Sequence, residues 1–170
     1  MTPANLLSTA IVPALTLLTT VGIEDTIPAR RILLAIALQE SGLTHRRQVS
    51  ADGKETGPAI SFWQFEKAGG CRGVLAHRSV SARMRKVCID FNVDVTEQSL
   101  WEAMRYQDIV AAAAARLLLY TLPAGLPLSA AEGWKQYLEA WRPGKPHPET
   151  WEGNWRVADS IVRRVALLIS

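Results

Sequence analysis

One stretch limits the fold of this chain more than any other. Ile32-Leu33-Leu34-Ala35-Ile36-Ala37-Leu38-Gln39-Glu40-Ser41-Gly42 is nearly all apolar and holds a single acid. Pro28 falls in its first turn and Gly42 just past its end, the usual placement of proline and glycine at helix termini, so the pattern predicts a buried central helix. Helical spacing sets Ala37, Ile36 and Leu33 on the same face as Glu40, and the carboxylate continues an apolar stripe. Desolvation disfavours the charged form there, and the negative end of the helix dipole pushes the same way. The expected result is an acid that keeps its proton near neutrality, suited to protonating a leaving oxygen. The ordinary alternative is a helix-end glutamate whose stem packs while its head reaches water.

The remaining pattern is helical almost throughout. At 170 residues and 48% hydrophobic content, a single domain spanning 1–170 with one sizeable core is expected. Helices are predicted near 64–69, 79–88 and 96–106, and strongly over 108–120, where Ala111 to Ala115 and Leu117 to Leu119 make a second interior helix. Two more are predicted at 129–141 and 148–168, separated by the proline-rich turn Arg142-Pro143-Gly144-Lys145-Pro146-His147-Pro148. Residues 44–60, with Asp52-Gly53-Lys54 and Gly57-Pro58, are polar and turn-rich, and predict a small irregular or β-hairpin flap at the mouth of a cleft. The fold class expected is all-α around a buried central helix. Leu6 to Val21 is apolar, but no Lys or Arg precedes it, it contains Pro13 and it falls short of a bilayer span. It predicts a first packing helix rather than a signal peptide, and no integral membrane protein is expected.

Two further segments accompany Glu40-Ser41: Ser61-Phe62-Trp63-Gln64-Phe65-Glu66, and Tyr137-Leu138-Glu139-Ala140-Trp141-Arg142-Pro143-Gly144. In order and spacing the three resemble the lysozyme superfamily, in its soluble lytic transglycosylase and goose-type lysozyme branch, in a form similar to phage-encoded peptidoglycan hydrolases. That branch has a Glu-Ser pair ending a buried helix, then a Gly-Leu-Met-Gln-like segment, then an Ala-Tyr-Asn-Ala-Gly-like one. Glu40, Ser41, Gln64, Ala140 and Gly144 agree in identity. Ser61 stands for Gly, Phe62 for Leu, Trp63 for Met, Trp141 for Tyr and Arg142 for Asn. The resemblance spans positions 40 to 144.

The resemblance implies an α+β lysozyme-like domain that cleaves the β-1,4 bond between N-acetylmuramic acid and N-acetylglucosamine, as a lytic transglycosylase or a muramidase. Glu40 is then the general acid. In the transglycosylases the same Glu next acts as base on the muramoyl C6 hydroxyl, giving a 1,6-anhydro product, whereas an inverting lysozyme uses a second carboxylate to activate water. Asp52, Glu55 and Glu66 are the candidates for that second acid, and a single-acid mechanism is slightly favoured. Ser41, Ser61, Trp63, Gln64, Tyr137 and Trp141 are the expected substrate-binding residues. Gln64 is suited to an acetamido or hydroxyl group, and Trp63 and Trp141 to pyranose faces. Trp101, Trp134, Trp151 and Trp155 read as packing. In the family the motif tyrosine bonds the catalytic Glu; an indole at 141 can donate but has no phenol oxygen to accept or relay a proton. Tyr137, one helical turn earlier, can supply the hydroxyl from the same face. Arg142 and Lys145 can meet lactyl or stem-peptide carboxylates.

The partners so implied are peptidoglycan glycan strands and, in a phage setting, other virion proteins; the place of action is the periplasmic cell wall, reached as an endolysin or from a virion. The alternative is a catalytically weak or inactive lysozyme-like protein that binds glycan or builds a phage particle. A basic nucleic-acid binder is suggested by the net charge of +3 and the pairs Arg30-Arg31, Arg46-Arg47 and Arg163-Arg164, but these lie on separate elements, so no nucleic-acid partner is expected. No cofactor or metal is expected: Cys71, His77 and Cys88 lack paired ligand spacing. The 16 residues between the cysteines can close as one bridge in an oxidising compartment, at roughly 3 kcal/mol of loop entropy, or stay reduced elsewhere.

Overall fold

The computed structural model describes residues 1–167, and position 168 of the expected last helix lies outside them. The chain opens with α1 (Pro3–Leu6), a π-helical turn (Leu7–Ile11) and α2 (Val12–Thr19), which run on as one rod. Thr2 caps its start by accepting from the Asn5 amide. Pro13 explains the π turn. A proline has no N–H to offer the carbonyl four residues earlier, and a local widening of the helix absorbs the missing bond. The sequence pattern predicted the rod but not its change of pitch.

The central helix α3 (Ile27–Ser41) begins at the cap Thr26, whose hydroxyl accepts from Ala29 N, and carries Pro28 in its first turn. It stops at Gly42, left-handed at φ 55°, whose N–H returns to Leu38 O. Residues Ile32 to Ala37 are all buried. α7 (Asp108–Tyr120) is the second interior helix, buried continuously from Val110 to Leu117. Helices α4 (Arg72–Ala76), α5 (Ser81–Asp90) and α6 (Glu97–Ala103) pack around these two. α8 (Ala130–Trp141) starts with a capping box from Ser129 and Glu132. α9 (Pro148–Leu167) then makes the most extensive helix pairing in the molecule, against α3. One apolar core joins all of them.

The segment expected to be helical at 64–69 is helical only from Lys67 on. Ser61 and Gln64 both have positive φ, 65° and 50°, and Ile60 N and Phe65 N exchange hydrogen bonds with each other's carbonyls at 3.0 and 2.7 Å. That tight turn holds the chain out of helix until Lys67, where a π turn (Lys67–Cys71) leads into α4. Gly69 and Gly70 lie in the π turn, and a Cβ at Gly70 would come within 2.5 Å of the Phe65 ring. The helix expected at 79–88 is shifted two residues on, and the one at 96–106 ends at Ala103.

The flap over 44–60 is irregular, with isolated bridges Arg47 to Ile60 and Ile60 to Phe65 and three hairpin-like hydrogen bonds, Ser61 N to Arg46 O at 2.7 Å, Gln48 N to Ala59 O at 2.8 Å and Gly57 N to Gln48 O at 3.0 Å. Side chains add further anchors. Arg46 pairs bidentately with Asp108 at the head of α7 and lies 4.5 Å over the Phe62 ring. Arg47 donates to the carbonyls of Gly57 and Thr56, and Trp101 Nε1 donates to Pro58 O. The other arginine pairs are also held internally, Arg30 by Asp25, and Arg31 and Arg163 both by Asp159. Among the described residues no helix is long and apolar enough to cross a membrane. Cys71 and Cys88 are free, buried thiols; burial first, then nearby Glu97 and Cys88, push Cys71 up to about 12.

Gly133 marks the closest packing in the fold. A Cβ placed there would sit 2.4 Å from Cζ3 of Trp155 and 3.1 Å from Cζ2 of Trp151. Alanine normally favours a helix over glycine by about 1 kcal/mol. Here the overpacking against two buried indoles outweighs that gain. Gly133→Ala is expected to lower unfolding stability by about 1–2 kcal/mol, measured by urea denaturation.

Candidate active site

A cleft of about 620 Å³ opens where the end of α3, the 59–70 segment and the end of α8 meet. Glu40 lies on the last turn of α3, half-buried, and faces into it. Its neighbours on the wall include Gln64, Phe65, Glu66, Tyr137, Ala140 and Trp141, with Gln48 reaching in from the flap. The turn after α8 supplies Arg142, Pro143, Gly144, Lys145 and His147.

Tyr137 Oη donates to Glu40 Oε1 at 2.6 Å. Burial is the main influence on the carboxyl and raises its pKa from 4.5 to about 7; the tyrosine bond acts the other way, since it favours the carboxylate. Burial first, then the adjacent carboxylate, raise the Tyr137 phenol well above its ordinary value. The phenol therefore remains a donor at any pH of interest. It is held by aromatic packing: its ring stacks on Trp151 at 5.4 Å and 15°, and lies 5.3 Å from Trp134.

Tryptophans 63 and 141 have different duties. Trp141 is half-buried on the cleft wall, and its Nε1 donates to Trp63 O at 2.8 Å. Trp63 is fully buried, with Nε1 donating to Leu33 O at 2.9 Å, so the expectation that it faces a sugar is corrected: its indole is enclosed by the core. Two indoles in series thus tie α8 to the 61–65 turn and that turn to α3.

The two serines are likewise structural. Ser61 is fully buried, has a positive φ at a position where the resembled motif carries glycine, and accepts from Trp63 N at 3.2 Å. Ser41 Oγ lies 2.9 Å from both Ala37 O and Phe62 O and accepts from Leu43 N. Neither lines the cleft, which corrects their assignment to substrate. Gln64 does line it, with Nε2 donating to Ser61 O at 2.8 Å.

The acids of the flap are placed elsewhere. Asp52 lies beside Lys54 and Glu55 pairs with His45 at 2.9 Å; neither lines the cleft, so the structure does not bring them to Glu40. Among the described residues Glu66 is the other carboxylate on the cleft wall, and it is exposed.

Sequence reasoning missed Gln39 and Trp151. Gln39 Nε2 donates to His147 O at 2.9 Å, while its Oε1 accepts from Thr150 Oγ1 and Asn154 Nδ2. A polar residue beside the acid on an apolar helix is a faint signal for such a brace. Nothing local in the sequence marks Trp151 as the platform beneath Tyr137.

No protein-family model, curated protein or solved structure matches this chain.

Glu40 has a raised pKa in the fold, so its contribution to stability is complete below pH 4.5 and is lost as pH rises through about 7. Glu40→Gln removes that loss. Its stability relative to the wild type should rise by roughly 3 kcal/mol between pH 4 and pH 9, read from unfolding midpoints across the range. Tyr137→Phe removes the bond that favours the carboxylate, and a carbon-13 NMR titration should find Glu40 titrating above pH 7.

Proposed function

We propose that this protein cleaves the β-1,4 bond of peptidoglycan between N-acetylmuramic acid and N-acetylglucosamine, with Glu40 as the general acid. The observation that carries the reading is a carboxyl group buried enough to keep its proton near pH 7, bonded by a phenol, and facing a cleft of about 620 Å³. A single buried acid in such a cleft is what protonation of a glycosidic oxygen requires.

In this reading Glu40 gives its proton to the bridging oxygen as the C1–O bond breaks. Positive charge grows on the ring oxygen and anomeric carbon, and the new carboxylate lies beside it. The Tyr137 hydroxyl now bonds a charged acceptor, a stronger hydrogen bond than the one to the neutral acid. Tyr137 thus helps the acid release its proton without taking part in the transfer. With Asp52 and Glu55 outside the cleft, the reading favours one carboxylate serving twice: Glu40 takes the proton of the muramoyl C6 hydroxyl, O6 bonds to C1, and a 1,6-anhydro end forms with no water consumed. Glu66 is the group through which a hydrolytic outcome would run.

Release of soluble fragments from purified peptidoglycan tests the reading. Glu40→Gln should lower the rate about a thousandfold while the protein stays folded, because general acid catalysis is worth about 10²–10⁴. Equal turbidity loss by the variant would refute the acid assignment, and inactivity of both proteins would leave glycan binding alone. The wild-type rate should fall about tenfold per pH unit above roughly 7, since only the protonated acid works. Mass spectrometry of the products separates an anhydro end from a reducing end by one water.

A further inference from the structure

We infer that Arg116, Arg83 and Tyr120 form a binding site for a phosphoryl oxyanion, on the side of α7 turned away from the cleft. The glycan reading uses none of these residues, and the site stands or falls independently of it.

Arg116 is the anomaly that points there. It lies on an interior helix, is only 6% exposed, and its Nε is sealed from solvent with no hydrogen-bond partner. Among the described residues it is in no ion pair either, unlike the equally buried Arg31, which Asp159 holds at 2.6 Å. Burial lowers its pKa, and the group that acts the other way is Tyr120, not a carboxylate. A buried cation is costly unless an opposite charge meets it.

The fold brings a second cation to the same place. Arg116 and Tyr120 are one helical turn apart on α7, and the guanidinium carbon of Arg116 lies 5.5 Å from the centre of the Tyr120 ring. That of Arg83, on α5, lies 5.3 Å from the same ring. Arg83 is braced, with Nε donating to Val21 O just past α2 and Nη1 to Ser79 O, which leaves Nη2 to give. Tyr120 is 39% exposed, so the ring that both cations share is open to solvent. Leu118, which lines the cleft, is half a helical turn from positions 116 and 120 and so leaves α7 on the other side.

The sequence keeps acids away from this corner. Residues 1–23, 73–89 and 109–131 supply α2, α5 as far as Ile89 and α7 after Asp108, and none of them is Asp or Glu. The middle stretch holds Arg78, Arg83, Arg85 and Lys86. Of the acids that flank these stretches, Asp90 is taken by Lys86 at 2.7 Å, and Glu24 is exposed and bonds neither arginine. The donor set suits a phosphoryl group better than a carboxylate. One guanidinium fork fills a carboxylate, whereas two guanidinium groups beside one phenol match the three terminal oxygens of a phosphate monoester. Free phosphate and an anionic phospholipid headgroup both present that chemistry.

Calorimetry on the full chain at low salt tests the site with inorganic phosphate, and with acetate as the carboxylate control. Cosedimentation with phosphatidylcholine vesicles, with and without phosphatidic acid, tests the headgroup. Phosphate should bind at least about tenfold tighter than acetate, and Arg116→Met should weaken it about tenfold or more. Because Arg116→Met keeps the bulk and removes the buried charge, its unfolding midpoint in phosphate-free buffer should be no lower than that of the wild type. Arg83→Gln is the second variant, leaves the buried arginine in place, and should weaken binding by a similar factor; if one variant fails to fold, the other decides. Binding of phosphate alone identifies the free ion as the ligand and binding of phosphatidic acid vesicles alone identifies the headgroup; loss of either in the variants supports the inference. No binding of phosphate or vesicles by the wild type, acetate bound as tightly as phosphate, or an affinity that the folded variants leave unchanged overturns it.

Discussion

The hydrogen bond from Tyr137 to Glu40 joins α8 to the end of α3, and aromatic rings from α8 and α9 pack around its donor. Trp151 and Trp134 close over the phenol, and Trp141 lies 6.4 Å from it on the cleft side. Keeping a carboxyl group here costs the fold roughly 3 kcal/mol at neutral pH and above. Burial of Ile32, Leu33, Leu34 and Ile36 on the same helix contributes about 1.5–3 kcal/mol each, which outweighs that penalty. The fold tolerates the acid because it sits at the end of a helix whose centre, Ile32 to Ala37, is wholly buried.

A second set of ties fixes the walls around that bond. The indoles of Trp141 and Trp63 donate in series to Trp63 O and Leu33 O, and Gln39 clasps both the turn after α8 and the start of α9. Of the non-glycine residues with positive φ, Ser61, Gln64 and Arg142 lie at these walls and Leu43 just past the end of α3, while Asn92 follows α5. Backbone in a sparsely populated region persists only where surrounding contacts over-determine it. Here those contacts are the Ser41, Trp63 and Trp141 hydrogen bonds that converge on the 61–65 turn.

The helices were legible in the sequence wherever burial and capping agreed. Thr26, Pro28 and Gly42 delimit α3, Ser129 and Glu132 start α8, and the alanine-leucine run of α7 is interior throughout. Glu40 was legible because an acid on an apolar face is rare, and Tyr137 because it lies one helical turn before Trp141. Legibility failed where long-range contacts outvote local pattern. Trp63 looked like a cleft residue from its motif, yet its indole finds a backbone carbonyl thirty residues away in the core. Residues 64–66 looked helical until the Ile60–Phe65 pairing claimed them. The flap acids are separated from Glu40 by anchors, Arg46 to Asp108 and Trp101 to Pro58, that no local spacing reveals.

The docking of α9 carries a consequence for synthesis. Trp151, Thr150 and Asn154, which shield the phenol and fasten Gln39, belong to α9. On the ribosome the phenol stays unsheltered and Gln39 unfastened until α9 has been made and folds back against α3.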